Sequence, residues 1–354
     1  MNHRIKTTHT SKKPLNIKRD DPAAPAWPSY QGTSQFVGTS PSGRVTVYVD
    51  PSLGAQALQN AQDLVNDADR VATANDGIFG TTGGPVSVIV FALGGATDGT
   101  GGADHASCDY VTGNAIEVDA SYGNSARVSA LFEAELSECS MNGNLCGENT
   151  GEALSRWCAA VIGNNALADF ATAPQWVADG MADWVDQTEN TDQDADSTGC
   201  GMAFLSWLIG QGYGLEKIAP AMVNLGDSGT LAQLYASLTG DAATNAWQNF
   251  QNAIQALPNG AQGITTDDPF NGLAQPLQMT HVAPQTAEVV GRIFASIVAD
   301  LSAKREPDQI MANVRAAMAP VLRPAAPALC SPKSHRLARP EKGGHRAGKT
   351  TKTA

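Results

Sequence analysis

The sequence predicts an α+β fold: a small mixed sheet of about three to four strands packed on helices, then a helical subdomain, with an added C-terminal helical pair. Two observations predict it. Strand-like segments are confined to the stretch before about residue 120, and from Ser125 onward the apolar residues recur at helical intervals. Strands that come first and helices that follow segregate into separate layers rather than alternating as in a doubly wound sheet.

Each element has its own signal. Residues 1–42 are rich in Pro, Ser, Gly and Thr and read as a linker with a basic start. "RVTVYVD" (44–50) alternates Val45, Val47 and Val49 with Thr46 and Tyr48, as a strand with one buried face does. Leu58, Ala61, Leu64, Val65, Ala68 and Val71 then line one side of a long amphipathic helix. "GPVSVIVFAL" (84–93) is a buried strand between glycine pairs, and "NAIEVDASY" (114–122) is a short polar strand suited to a sheet edge. Helices are expected near 125–140, 151–163, 174–186, 201–211, 214–225, 229–238 and 241–256. The predicted organisation is a linker over 1–42, an α+β domain over 43–258, a linker over 259–282, a helical pair over 283–322 that could mediate self-association, and a Pro-rich basic tail over 323–354.

Charge is unevenly distributed over the 354 residues. Residues 1–21 carry six basic and two acidic side chains and 331–354 carry seven and one, which leaves ten basic against 32 acidic in 22–330. Such a body repels nucleic acid and anionic membranes and suits cations, while the disordered basic tails expected at both ends could touch anionic surfaces. No apolar run is long enough to span a bilayer. The first 40 residues show no secretory h-region, which points to the cytoplasm by default. The Gly/Asn/Asp/Thr-rich body and its cysteines lean extracytoplasmic.

The chemistry centres on "ALFEAELSECSMN" (130–142) and "PQWVADGMADWV" (174–185). The first resembles the His-Glu-x-x-His helix of a zinc peptidase with both histidines replaced: Ala134 and Glu138 stand at the imidazole positions and Glu135 at the general-base position. The second is similar to the third-ligand helix of gluzincin-type peptidases, with an Ala182-Asp183-Trp184 ending like that of the plant basic secretory proteins. Trp176, Gly180, Ala182 and Trp184 match there, Asp179 takes the ligand position and Asp183 follows. The "DSTGCGMAFLSWL", "LYASLTGD" and "AWQNF" segments extend the resemblance over about 44–256. A nearer likeness, carried by "CGENTGEALSR", "DWVDQT" and "STGC", is to a set of uncharacterised bacterial proteins and brings no activity with it.

The resemblance implies a zincin-like fold whose zinc site is degenerate. Glu135, Glu138 and Asp179 would crowd one pocket, where like charges need a proton or a cation between them. An all-oxygen set suits Ca²⁺, Mg²⁺ or Mn²⁺ better than Zn²⁺. The alternatives are a hydrolase working through Glu135, Glu138 and Asp179, and a structural protein assembling through 283–322. Asp192, Asp194 and Asp196 have calcium-loop spacing, although an acidic loop capping the next helix through Asp196 or Ser197 is the simpler reading. Cys146 and Cys200 flank the expected cleft and are expected to lie close, as a disulfide in an oxidising compartment, closing a loop of about 54 residues. His105 and Cys108 have ligand-like spacing but no second pair in sequence, so they read as a loop histidine and a structural cysteine.

Overall fold

The computed structural model describes residues 21–110, 115–191 and 193–274, all within the unit Met1–Val282. The 283–322 pair, the C-terminal tail and the first twenty residues lie outside the described residues. The α+β class is as expected, but the sheet has five strands where about three to four were expected, and only three of the five fall on segments read as strands in the sequence. β1 (Gln35–Thr39), β2 (Val45–Val49), β3 (Val86–Phe91), β4 (Ala103–His105) and β5 (Ala115–Asp119) form one sheet in the order β1-β2-β3-β5-β4. β2, β3 and β5 run parallel in the centre, while β1 and β4 are antiparallel edges. A parallel centre is covered on both faces, and this is why β2 and β3 are buried at every position except the half-buried Thr46 and Ser87.

One face of the sheet presents Val45, Val47, Val49, Val88, Val90, Ile116 and Val118 to the helices. The 26-residue α1 (Gly54–Phe79) crosses it with Ala57, Ala61, Leu64, Ala68 and Val71, whose small side chains let the helix approach closely. α2 (Ser125–Ser140) lies between α1 and α3 (Asn149–Ile162) and against β4 and β5. The Asn124 side chain caps its start, accepting from the Arg127 amide at 3.0 Å.

The opposite face corrects two expectations. Residues 22–34, expected as linker, lie against it: Trp27 and Tyr30 pack edge-on to Tyr48 and Phe91. β5 is not an edge strand but is buried along its whole length. Its polar residues are explained by the pleat. Ile116 and Val118 point to the helices, and Glu117 and Asp119 point the other way, where each finds donors. The Glu117 carboxylate accepts from the Ser29 amide and hydroxyl and from the Tyr30 amide at 2.6–3.1 Å. Asp119 accepts from the Gly101 and Ser121 amides. The chain must pass so close to Asp119 that only glycine fits at 101, where a Cβ would collide with the Leu93 carbonyl.

The helical layer continues with α4 (Ala173–Ala178), α5 (Ala195–Gly210), α6 (Leu215–Leu225), α7 (Leu231–Thr239) and α8 (Ala246–Gln255) around Trp176, Phe204, Trp207, Tyr235 and Phe250. α4 is far shorter than the helix expected over 174–186. Gly180 (φ 101°) and Met181 (φ 54°) take left-handed conformations that no helix continues through. Asp179 and Asp183 therefore do not share a helix face. Residues beyond 258 also belong to the body: Asp267 accepts from the Thr172 and Ala173 amides, and Asp268 accepts from the Ser206 hydroxyl. Among the described residues no helix is long and apolar enough to cross a membrane.

Candidate metal centre

The edge strand β4 fixes the first component. His105 pairs with Ile116 across the β4–β5 ladder, and cross-strand partners share a face. Ile116 turns toward the helices, so His105 turns its imidazole over α2. On α2, Glu135 and Glu138 are three residues apart and occupy one side of the helix, facing β4. Nε2 of His105 lies 3.2 Å from Oε2 of Glu138, and Nδ1 lies 4.0 Å from Oε2 of Glu135. One ligand atom from each of the three residues falls within 4.8 Å of the others. The three side chains are only 12–14% exposed, so water screens the two carboxylates poorly. Carboxylates this close are accommodated by a shared proton, by an imidazolium or by a bound cation.

The trio sits on the wall of an open cleft of about 430 Å³. β4 and α2 form one side, with Leu131 and Ala134 beside the acids. Glu152 and Arg156 of α3, the segment carrying Phe170 and Thr172, and Gln193 form the other. Arg156 is 3.9 Å from Glu152 and 3.7 Å from Asp267, and it also donates to the Phe170 carbonyl. Arg127 braces the cleft from behind. It pairs with Asp169 at 2.7 Å, donates to the Gly99 carbonyl and lies 4.7 Å over the Phe170 ring.

The loops leaving β4 and α2 are tied together. Cys108 and Cys146 form a disulfide, and the Gly143 amide donates to the Cys108 carbonyl at 2.8 Å. This corrects the expected Cys146–Cys200 pair. Cys200 lies fully buried on α5 as a free thiol beside Trp184, facing the helical core rather than the loop that carries Cys146. Cys139, one residue beyond Glu138, is also a free, buried thiol. Burial first, then the charges of Glu135 and Glu138, pushes it up to about 12.

The structure gathers only part of the predicted site. Glu135 and Glu138 share the cleft, whereas Asp179 is exposed, does not line it, accepts from Gln175 and lies near Asp196. Asp183 accepts from the Val185 amide, and burial raises its carboxyl above the ordinary range. Asp194, not Asp196 or Ser197, caps α5, accepting from both of those amides. Among the described residues neither Asp194 nor Asp196 belongs to an ion-sized cluster, and Asp192 lies outside them.

His105 is the residue that sequence reasoning passed over. The sequence carried a usable signal: of six histidines, His105 alone falls between residues 21 and 274. One nitrogen and two carboxylate oxygens in a half-open wall make a coherent donor set for a divalent ion with free coordination positions. No family model, curated protein or solved structure matches this chain.

Proposed function

We propose that this chain is a metallopeptidase-like protein whose zinc-peptidase site is degenerate, and that it holds a divalent cation between His105, Glu135 and Glu138. The carrying observation is the mutual approach of those three ligand atoms on the wall of an open cleft. The sheet beside a helical layer, with the acidic helix facing a cleft, fits the arrangement that the resemblance implies. Ala134 lines the cleft at a position where such a peptidase would present an imidazole, and it offers no donor. His105 supplies a nitrogen from a different element instead.

The donor set also refines the choice of ion. Carboxylates favour Mg²⁺, Ca²⁺ and Mn²⁺, while an imidazole favours transition metals. Of the three hard cations expected from the acids alone, Mn²⁺ fits both ligand types. Mn²⁺ titration followed by electron paramagnetic resonance should show one ion bound per chain, with Mg²⁺ and Ca²⁺ as poor competitors. Glu138→Gln and His105→Ala should each weaken binding by about tenfold or more. Undiminished Mn²⁺ binding in both variants would overturn the reading, and so would stoichiometric zinc with chelator-sensitive proteolysis.

A further inference from the structure

His105 stands between two donor sets of opposite character. One is the oxygen pair of Glu135 and Glu138. The other is the sulfur pair of Cys108 and Cys146, and one ligand atom from each of those cysteines and from His105 also lies within 4.8 Å of the others. In the oxidised chain the sulfurs are bonded to one another and cannot act as thiolate ligands. Both cysteines are partly exposed, unlike the buried Cys139, Cys158 and Cys200, so a soluble reductant can reach them.

We propose that the Cys108–Cys146 disulfide is a redox gate on a second, sulfur-based metal site, and that reduction creates a His105–Cys108–Cys146 site for Zn²⁺ or another soft divalent ion. A dithiol is the reductant class. Its thiolate attacks one sulfur, the Cys108–Cys146 bond breaks, and the dithiol closes to its own cyclic disulfide, leaving two protein thiols. Binding of the metal ion then releases the two thiol protons and forms two metal–sulfur bonds, with His105 nitrogen as third ligand. Two thiolates and one imidazole with a fourth position open is a recognised zinc ligand set. The oxygen and sulfur sets share one imidazole, so one ion at a time can claim it. Reduction thus switches the chain from a hard-ion to a soft-ion preference.

The proposal borrows His105 from the manganese reading, and the test separates the two. The full chain is reduced with a dithiol, desalted under nitrogen and titrated with Co²⁺, which reports thiolate ligation through sulfur-to-cobalt charge-transfer absorption. The oxidised chain is titrated in parallel. The reduced chain should develop this absorption, saturating at one cobalt per chain. It should be lost in Cys146→Ser, altered in His105→Ala, and retained in Cys139→Ser and Glu138→Gln. The oxidised chain should show no charge-transfer absorption. Circular dichroism of the reduced chain and of Cys146→Ser confirms that both remain folded. Absence of the absorption from folded, reduced chain would overturn the gate, as would equal absorption in Cys146→Ser. Neither result touches Mn²⁺ binding by the oxidised chain. Conversely, loss of the Glu138-dependent Mn²⁺ site leaves the sulfur absorption in place.

Discussion

At the scale of single residues, α2 shows how face decides what a carboxylate does. Glu133, Glu135 and Glu138 occupy one helix within six positions. Glu135 and Glu138 reach the cleft, while Glu133 turns inward and is fully buried, with neither oxygen hydrogen-bonded. Desolvation raises its pKa well above the ordinary carboxylate value. The Arg70 charge opposes the rise, Asp76 adds to it, and Arg44 opposes it more weakly. The buried Cys158 thiol faces it from α3. Its folded pKa lies above its unfolded one, so the folded chain keeps a proton that the unfolded chain gives up. Stability is therefore fully present below the unfolded pKa and falls as pH climbs toward the folded value. Glu133→Gln keeps the shape and removes the titration. The variant should be more stable than wild type at neutral pH by about 1–3 kcal/mol, with a flatter melting-temperature profile above the carboxylate range. Thermal unfolding across a pH series checks this, and a variant that melts below wild type at neutral pH would refute it.

At the scale of elements, the N-terminal segment and β5 stabilise each other. Glu117 has no exposure, yet the Ser29 and Tyr30 donors satisfy it, and Trp27 and Tyr30 cover the aromatic face of the sheet. Glu117→Gln should cost about 1–3 kcal/mol, because one amide oxygen replaces two acceptors and the NH₂ group, being a donor, cannot accept from the Ser29 amide. Backbone amide exchange at Ser29 and Tyr30 should accelerate ahead of the sheet core; unchanged exchange there would mean that the aromatic contacts alone hold the segment. The same elements show what the sequence could convey. β2, β3, α1 and α2 were legible because period 2 or period 3.6 is written in their own residues, and α2 runs over the predicted 125–140. β1 was hidden because a short edge strand with Gly38 in it carries almost no alternation. β5 was misplaced because the partners that satisfy Glu117 are nearly ninety residues away. The α4 error came from reading through Gly180, although a glycine followed by left-handed Met181 ends a helix. At the site, the acids were visible as spacing on one helix. His105 meets those acids because β4, a strand of three residues with no readable alternation, pairs with β5 and packs on α2, and Cys108 and Cys146 lie 38 residues apart, so neither juxtaposition is written in a local pattern.

At the scale of the whole molecule, residues 22–274 hold five basic against 28 acidic side chains, and that excess repels itself in the folded state. Any salt will relieve part of this strain by screening, and divalent ions will do so more strongly, whatever the fate of His105. A rise in melting temperature with Mn²⁺ is thus ambiguous until screening is subtracted. The oxidised chain and its Glu138→Gln variant resolve it when each is melted in NaCl, in MgCl₂ and in MnCl₂ at matched ionic strength. Screening acts on both chains alike and should raise both in NaCl and MgCl₂. A specific site adds to wild type alone, by about 2.7 kcal/mol when free Mn²⁺ stands a hundredfold above its dissociation constant. The increment should appear in MnCl₂, be absent in the variant, and grow with the logarithm of manganese concentration, whereas screening levels off. Equal gains in the two chains would mean that the acidic surface takes up the ion diffusely, and the approach of Glu138 to His105 would then be an ion pair between side chains and nothing more.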